Sequence, residues 1–116
     1  MTGAQLKAVL EQNNYMAQPT PRVLLPSSNF SYRYDARLPQ GARVLAMQLD
    51  GVPIEPARAY RVTMNSFLAA AGDGYTAFNE GTAPTGGDLD VDALESYIAG
   101  QVALKPPALT RITRVQ

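Results

Sequence analysis

Phe30, Tyr32 and Tyr34 alternate with Ser31, Arg33 and Asp35. Successive side chains of a strand point to opposite faces, so this alternation predicts a strand with one buried aromatic face. Leu38-Pro39-Gln40-Gly41 follows as a turn, and Arg43 to Leu49 reads as the antiparallel return strand. Asp50-Gly51 is a tight-turn dipeptide, because both residues tolerate positive φ. Tyr60 to Asn65, rich in β-formers, predicts a further strand. This is the order of a meander and not of a βαβ unit.

Helical signals bracket the meander. Thr2-Gly3-Ala4-Gln5 has the form of a capping box, and Leu6, Val9 and Leu10 then recur on one face of a short helix that fades near Asn13-Asn14. Pro19 and Pro21 mark an irregular connection, with extended chain from Val23 onward. Ser66 to Ala71 is helix-prone and is stopped by Gly72-Asp73-Gly74. Asn79 to Gly87 is a polar loop. Asp88 or Asp90 is placed to cap a last helix whose apolar stripe is Leu94, Tyr97 and Ile98, and Gly100 ends it. Pro106-Pro107 blocks continuation, and Thr110 to Val115 predicts a closing strand. The class is α+β, a mainly antiparallel or mixed sheet with flanking helices, in one domain over residues 1–116.

Two zeros narrow the chemistry more than any average. There is no cysteine, hence no thiolate nucleophile and no sulfur-ligated metal. There is no histidine, hence no hydrolase triad and no imidazole-bound zinc. The acidic trio Asp88, Asp90 and Asp92 lacks the spacing of a calcium loop. No cofactor or metal is therefore expected in this chain, nor any catalytic residue. Ten basic residues balance ten acidic ones without clustering, so a nucleic-acid polymer is not the expected partner. The longest apolar stretches, such as Ser66 to Ala71, are too short to span a membrane, and Met1 is not followed by a signal-like segment.

The candidate site is the run from Asn65 to Tyr75. Phe67 and Asp73 stand a few residues apart, and Gly72 and Gly74 let the backbone approach a ligand. An aromatic ring and a carboxylate that accepts two hydroxyl donors suit a nucleoside, the base stacked and the ribose diol held. Asn65 is placed to orient the loop. The competing reading is plain packing: Phe67 in the core and Gly72-Asp73-Gly74 a turn with a self-capping aspartate. Tyr32 and Tyr34 read as core, Tyr75 and Phe78 as packing under the loop, and Arg111 with Arg114 as a solvated strand face.

The run Asn65-Ser66-Phe67-Leu68-Ala69-Ala70-Ala71-Gly72-Asp73-Gly74-Tyr75 resembles the signature of the 5′-nucleotidase C-terminal domain, with Ala71 in place of the first glycine of a pair. Thr2-Gly3-Ala4-Gln5-Leu6-Lys7 is similar to that family's helix start, and Leu25 through Tyr34-Asp35 to its strand ending in Tyr-Asp. Asp50-Gly51-Val52-Pro53-Ile54 with Tyr60-Arg61-Val62 resembles its hairpin, and Thr110-Arg111-Ile112 its closing strand.

The resemblance implies an α/β/β/α layered domain, of which this chain is the later part. It implies that Phe67 stacks on the base, that Asp73 holds the ribose hydroxyls, and that Leu24 stands where the family often places a second stacking aromatic. It implies nucleoside or nucleotide recognition on behalf of a metal-dependent phosphoesterase. The divalent metal pair (zinc, manganese or magnesium) lies in a separate N-terminal domain, the chain's implied partner. UDP-sugar hydrolases, 2′,3′-cyclic nucleotide phosphodiesterases and thiosulfohydrolases are the alternatives within the family, and a non-catalytic interaction module the alternative outside it. A periplasmic or extracellular location is implied. A missing first part would leave apolar surface open on the helix Thr2 to Gln12 and near Val23, so self-association of the chain is an expectation.

Overall fold

A computed structural model describes residues 1–115. Helix α1 spans Gly3–Glu11 and starts with the full capping box: the Gln5 amide donates to Thr2 Oγ1 at 3.3 Å, and the Thr2 amide to Gln5 Oε1 at 2.8 Å. Its remaining free amides are met by a facing loop. The Gly3 amide donates to the Arg58 carbonyl and the Ala4 amide to that of Pro56, at 3.0 and 2.9 Å. That loop comes so close that a β-carbon on Gly3 would collide with the Glu55 carbonyl oxygen. Glycine here is a matter of space.

Strands β1 (Phe30–Tyr34), β2 (Val44–Leu49), β3 (Val52–Pro53) and β4 (Ile112–Arg114) form one sheet in the order β3-β2-β1-β4. β1 and β2 pair antiparallel, Phe30 opposite Leu49 and Tyr32 opposite Met47, with a bulge between Arg33 and Tyr34. The turn at Asp50-Gly51 has φ of 51° and 77°, the left-handed pair that a two-residue hairpin requires. β4 joins β1 in parallel, Tyr32 opposite Ile112, so the sheet is mixed. The buried face is the aromatic one: Tyr32, Tyr34, Val44 and Ala36 pack with Leu10 and Tyr15. The rings of Tyr15 and Tyr34 stack with centroids 4.2 Å apart.

α1 lies across this sheet and carries its own ties. Glu11 is buried, and its carboxylate accepts the Gly41 amide at 2.9 Å and the Val44 amide at 2.7 Å, fixing the turn before β2. On the other flank Val9 packs with Tyr75, Ala77 and Phe78. Asp35 ends β1 and takes the Arg37 guanidinium on both oxygens, which holds its carboxyl near a pKa of about 2.

Several expectations are corrected. Tyr60 to Asn65 is extended but is not a strand of the sheet. Its period of two is real, with Val62 and Met64 turned onto the Val9–Phe78 cluster while Arg61, Thr63 and Asn65 face out. The place beside β1 is filled by β4, however, and among the described residues the backbone pairing at the start of this segment is the bridge of Thr2 with Ala59 and mutual bonds between Met1 and Tyr60. Neither Asp88 nor Asp90 caps the last helix. α3 spans Asp90–Ala99 with Leu89 at the cap position, and the Asp90 carboxylate takes the adjacent Val91 amide instead. Arg111 is half-buried, its guanidinium donating to the Pro26 carbonyl at 2.9 Å, so only Arg114 is a solvated side chain.

The open apolar surface is also displaced from where it was expected. α1 buries Val9 and Leu10, and Val23 packs on the tyrosine core. Residues 81–110 are all exposed, and among the described residues the stripe Leu94, Tyr97 and Ile98 covers no core. α1 and the segment near Val23 are covered by the tyrosine core and the site loop; the face left open belongs to α3.

Candidate functional site

Asn65 begins the site by starting a helix. Its side-chain oxygen accepts the Leu68 amide at 2.9 Å and caps α2 (Ser66–Ala69). The expected orienting role of this amide is thus a helix cap, six residues before Ala71, where the turn begins. Capping places Phe67 in the first turn of α2, where it is 56% exposed. The ring is therefore not part of the core of the described residues.

The chain then reverses. Ala71 has φ of 61°, Asp73 of 55° and Gly74 of 82°, three residues of four in the left-handed region. Aspartate reaches that region more readily than most residues, whereas alanine does so at a cost of about 1–2 kcal/mol. Gly72 is constrained differently. A β-carbon there would lie 2.5–2.6 Å from three carbons of the Phe67 ring. The ring therefore rests on the bare backbone of Gly72, with its other face open. Of the two adjacent positions, 71 needs a conformation and 72 needs space, and an alanine is tolerable only at the first.

Asp73 follows Gly72 directly and is exposed. The loop thus sets an open aromatic face and a solvent-facing carboxylate on consecutive supports. Tyr75 and Phe78 lie buried beneath it as expected, with ring centroids 6.2 Å apart. Burial pushes the Tyr75 phenol above its usual range, and the negative charge of Asp73 adds to the shift. The phenol is accordingly a fixed neutral donor.

Leu24 is half-buried and packs on the Val9, Tyr75, Ala77 and Phe78 cluster. Its amide donates to Asn13 Oδ1 at 2.9 Å, and its carbonyl accepts the Tyr32 hydroxyl at 3.3 Å. The structure thus brings Phe67, Gly72, Asp73 and Gly74 together, adds Asn65 as a cap, and puts Leu24 in the layer that supports the loop.

Sequence reasoning missed Asn13. It follows the C-cap of α1 yet is 3% exposed, with donors and acceptors on four neighbours. A lone asparagine after a helix ordinarily reads as a solvated terminus, so no local signal distinguished it. A separate shallow polar cavity of ≈ 330 Å³, with Ser28, Asn29, Asp50 and Arg111 on its walls, contains none of the candidate residues. Among the described residues no group of three or more acidic, histidine or cysteine side chains is placed to hold a metal ion. A divalent metal pair does not fit the residues present.

The family model of the 5′-nucleotidase C-terminal domain matches residues 1–80. A cell wall protein of Listeria monocytogenes is 29% identical over 104 residues, covering 89% of this chain and 13% of that protein. A snake venom 5′-nucleotidase of Macrovipera lebetinus is 28% identical over 120 residues, covering 96% of this chain and 29% of the relative. Among solved structures, a 5′-nucleotidase precursor from Thermus thermophilus superposes with a TM-score of 0.79 at 25% identity, over 99% of this chain and 24% of its own. A sulfate thiohydrolase of the same organism, in complex with glycerol, shares the fold at a TM-score of 0.60 and 23% identity, over 99% of this chain and 21% of its own. The chain spans less than a third of the length of each of these relatives.

Proposed function

The chain belongs to the 5′-nucleotidase C-terminal domain family, and on that premise we propose that it recognises the nucleoside part of a nucleotide for a metal-dependent phosphoesterase. One observation carries the reading: the Phe67 ring is held on Gly72 with one face open, immediately before the exposed carboxylate of Asp73. An open ring offers a stacking surface for a base, worth about 1–3 kcal/mol by analogy with nucleic-acid binders. A carboxylate beside it accepts the two hydroxyls of a ribose, in bonds worth about 1.5–3 kcal/mol to a charged group. Leu24 contributes from below, through the support it gives the loop.

The chemistry of hydrolysis belongs to another part of the protein. The family's metal-binding catalytic domain lies in the N-terminal part, and no step of metal chemistry is assigned to residues of this chain. That catalytic domain is the proposed partner, and the protein is proposed to act outside the cytoplasm, as the cell wall and venom relatives suggest.

In the intact protein, Phe67→Ala should lower kcat/KM for AMP more than for UMP, because a purine overlaps more of the ring. Asp73→Ala should erase the preference for ribonucleotides over 2′-deoxynucleotides. Both should leave hydrolysis of p-nitrophenyl phosphate nearly unchanged. If both variants fold and keep kcat/KM for AMP within about twofold of the parent, the nucleoside reading is wrong. Binding of thiosulfate instead of adenosine would move the assignment to the sulfur-cleaving branch.

A further inference from the structure

We propose that the amides of Gln12 and Asn13, at the end of α1, position the Asp73 carboxylate for a ribose diol by clamping the chain just after Gly74. The inference rests on the nucleoside reading above and adds residues that touch no ligand. Asp73 and Gly74 both sit at positive φ, so the direction of the carboxylate is set by whatever holds the chain on either side. Upstream, α2 is fixed by its Asn65 cap and by Phe67 lying on Gly72. Downstream, three consecutive residues are bound to α1. The Tyr75 hydroxyl donates to Asn13 Oδ1 at 2.8 Å, Gln12 Nε2 donates to Thr76 Oγ1 at 2.7 Å, and the Ala77 amide donates to Gln12 Oε1 at 3.0 Å.

The anchor is itself held on several sides. Asn13 Nδ2 donates to the hydroxyls of Tyr15 and Tyr32, at 3.1 and 3.2 Å, and Asn13 Oδ1 also accepts the Leu24 amide. One buried amide thus ties the site loop to the tyrosine core, to β1 and to the segment carrying Leu24. An acceptor for two hydroxyls at once gains affinity from being held in advance, since the ligand need not order it.

A purely structural clamp would stabilise the fold without favouring any ligand group. The two roles separate on the ribose. The variants are Tyr75→Phe and Gln12→Ala in the intact protein, each alone and combined with Asp73→Ala. Tyr75→Phe keeps the buried ring and leaves Asn13 Oδ1 its bond from the Leu24 amide; Gln12→Ala loosens the same segment from a half-buried position. Calorimetry measures affinity for adenosine and for 2′,3′-dideoxyadenosine. Each single variant should reduce the ratio of the two affinities about fivefold, the worth of one net hydrogen bond, with dideoxyadenosine binding unchanged. Neither should reduce it further once Asp73 is alanine. Equal losses for both nucleosides, or a ratio that only Asp73→Ala moves, would overturn the clamp while sparing the nucleoside site. A parent that does not distinguish the two nucleosides would overturn the nucleoside reading, and the clamp with it.

Discussion

Helices α1 and α3 are of similar length, nine and ten residues, and each is amphipathic, although only α1 starts with a side-chain cap. α1 buries Gly3, Val9, Leu10 and Glu11, whereas α3 buries none of its residues. The contrast extends beyond the helices. Residues 1–80 hold every buried side chain of the described chain, and residues 81–110 are exposed throughout. The family model ends at the same residue, 80. Helix-forming signals therefore say nothing about whether a helix has a surface to pack against. A turn of helix is decided by neighbours three and four residues away, while burial is decided by chain far off in sequence.

The comparison is most easily broken at Asn13. Replacement by Ala removes the acceptor of the Leu24 amide and the Tyr75 hydroxyl, and the donor to Tyr15 and Tyr32, in a site that is 3% exposed. Stranding two buried donors should cost about 3 kcal/mol or more in urea unfolding. If the packed half tolerates this change within about 0.5 kcal/mol, the amide is not what holds it together. Gly3→Ala comes next. The added β-carbon meets the Glu55 carbonyl, a backbone atom that cannot swing away, and about 2 kcal/mol of stability should be lost.

A smaller effect is gated by pH. Asp35 is paired with Arg37 on both oxygens, and its folded pKa is depressed to about 2 from an ordinary value of 3.8. A depressed carboxyl stabilises the fold above its unfolded pKa, and that contribution fades as pH falls through about 2. The stability of Asp35→Asn should therefore vary less than the parent's between pH 4 and pH 2; identical acid profiles would remove the pair from the account. The smallest change is expected on the other side of the comparison. Leu94→Ser on α3 should alter the stability of this chain by less than about 0.5 kcal/mol, as an exposed substitution does. A loss of 2 kcal/mol or more would mean that α3 is covered in solution, and gel filtration would then show self-association.

Much of the site was legible in the residues because its requirements are local. The bare backbone of Gly72 and the left-handed φ of Asp73 each act within a few bonds of their own position, and the structure sets Phe67, Gly72, Asp73 and Gly74 side by side, with Asn65 as the cap of α2. Two other readings went astray where a second piece of chain decided the outcome. Tyr60 to Asn65 has the alternation of a strand, yet β4 occupies the sheet position beside β1 and leaves the segment with packing but no ladder. Arg111 looked like a surface charge until Pro26 came within reach of its guanidinium.

The chain alone determines its tight turns, the capping box of α1, the aromatic face of β1, and the absence of imidazole and thiol chemistry. All of these depend on side-chain chemistry or on dihedral preferences within a few residues. Tertiary structure alone decides that β4 enters parallel to β1, that Asn13 becomes a buried hub, and that α1 is covered while α3 stays open. It also decides that the loop after Gly74 is tied to a helix more than sixty residues earlier. Those outcomes depend on which surfaces meet after the chain has closed on itself, and hydrophobic burial and amide pairing over such distances leave no periodic mark in the sequence.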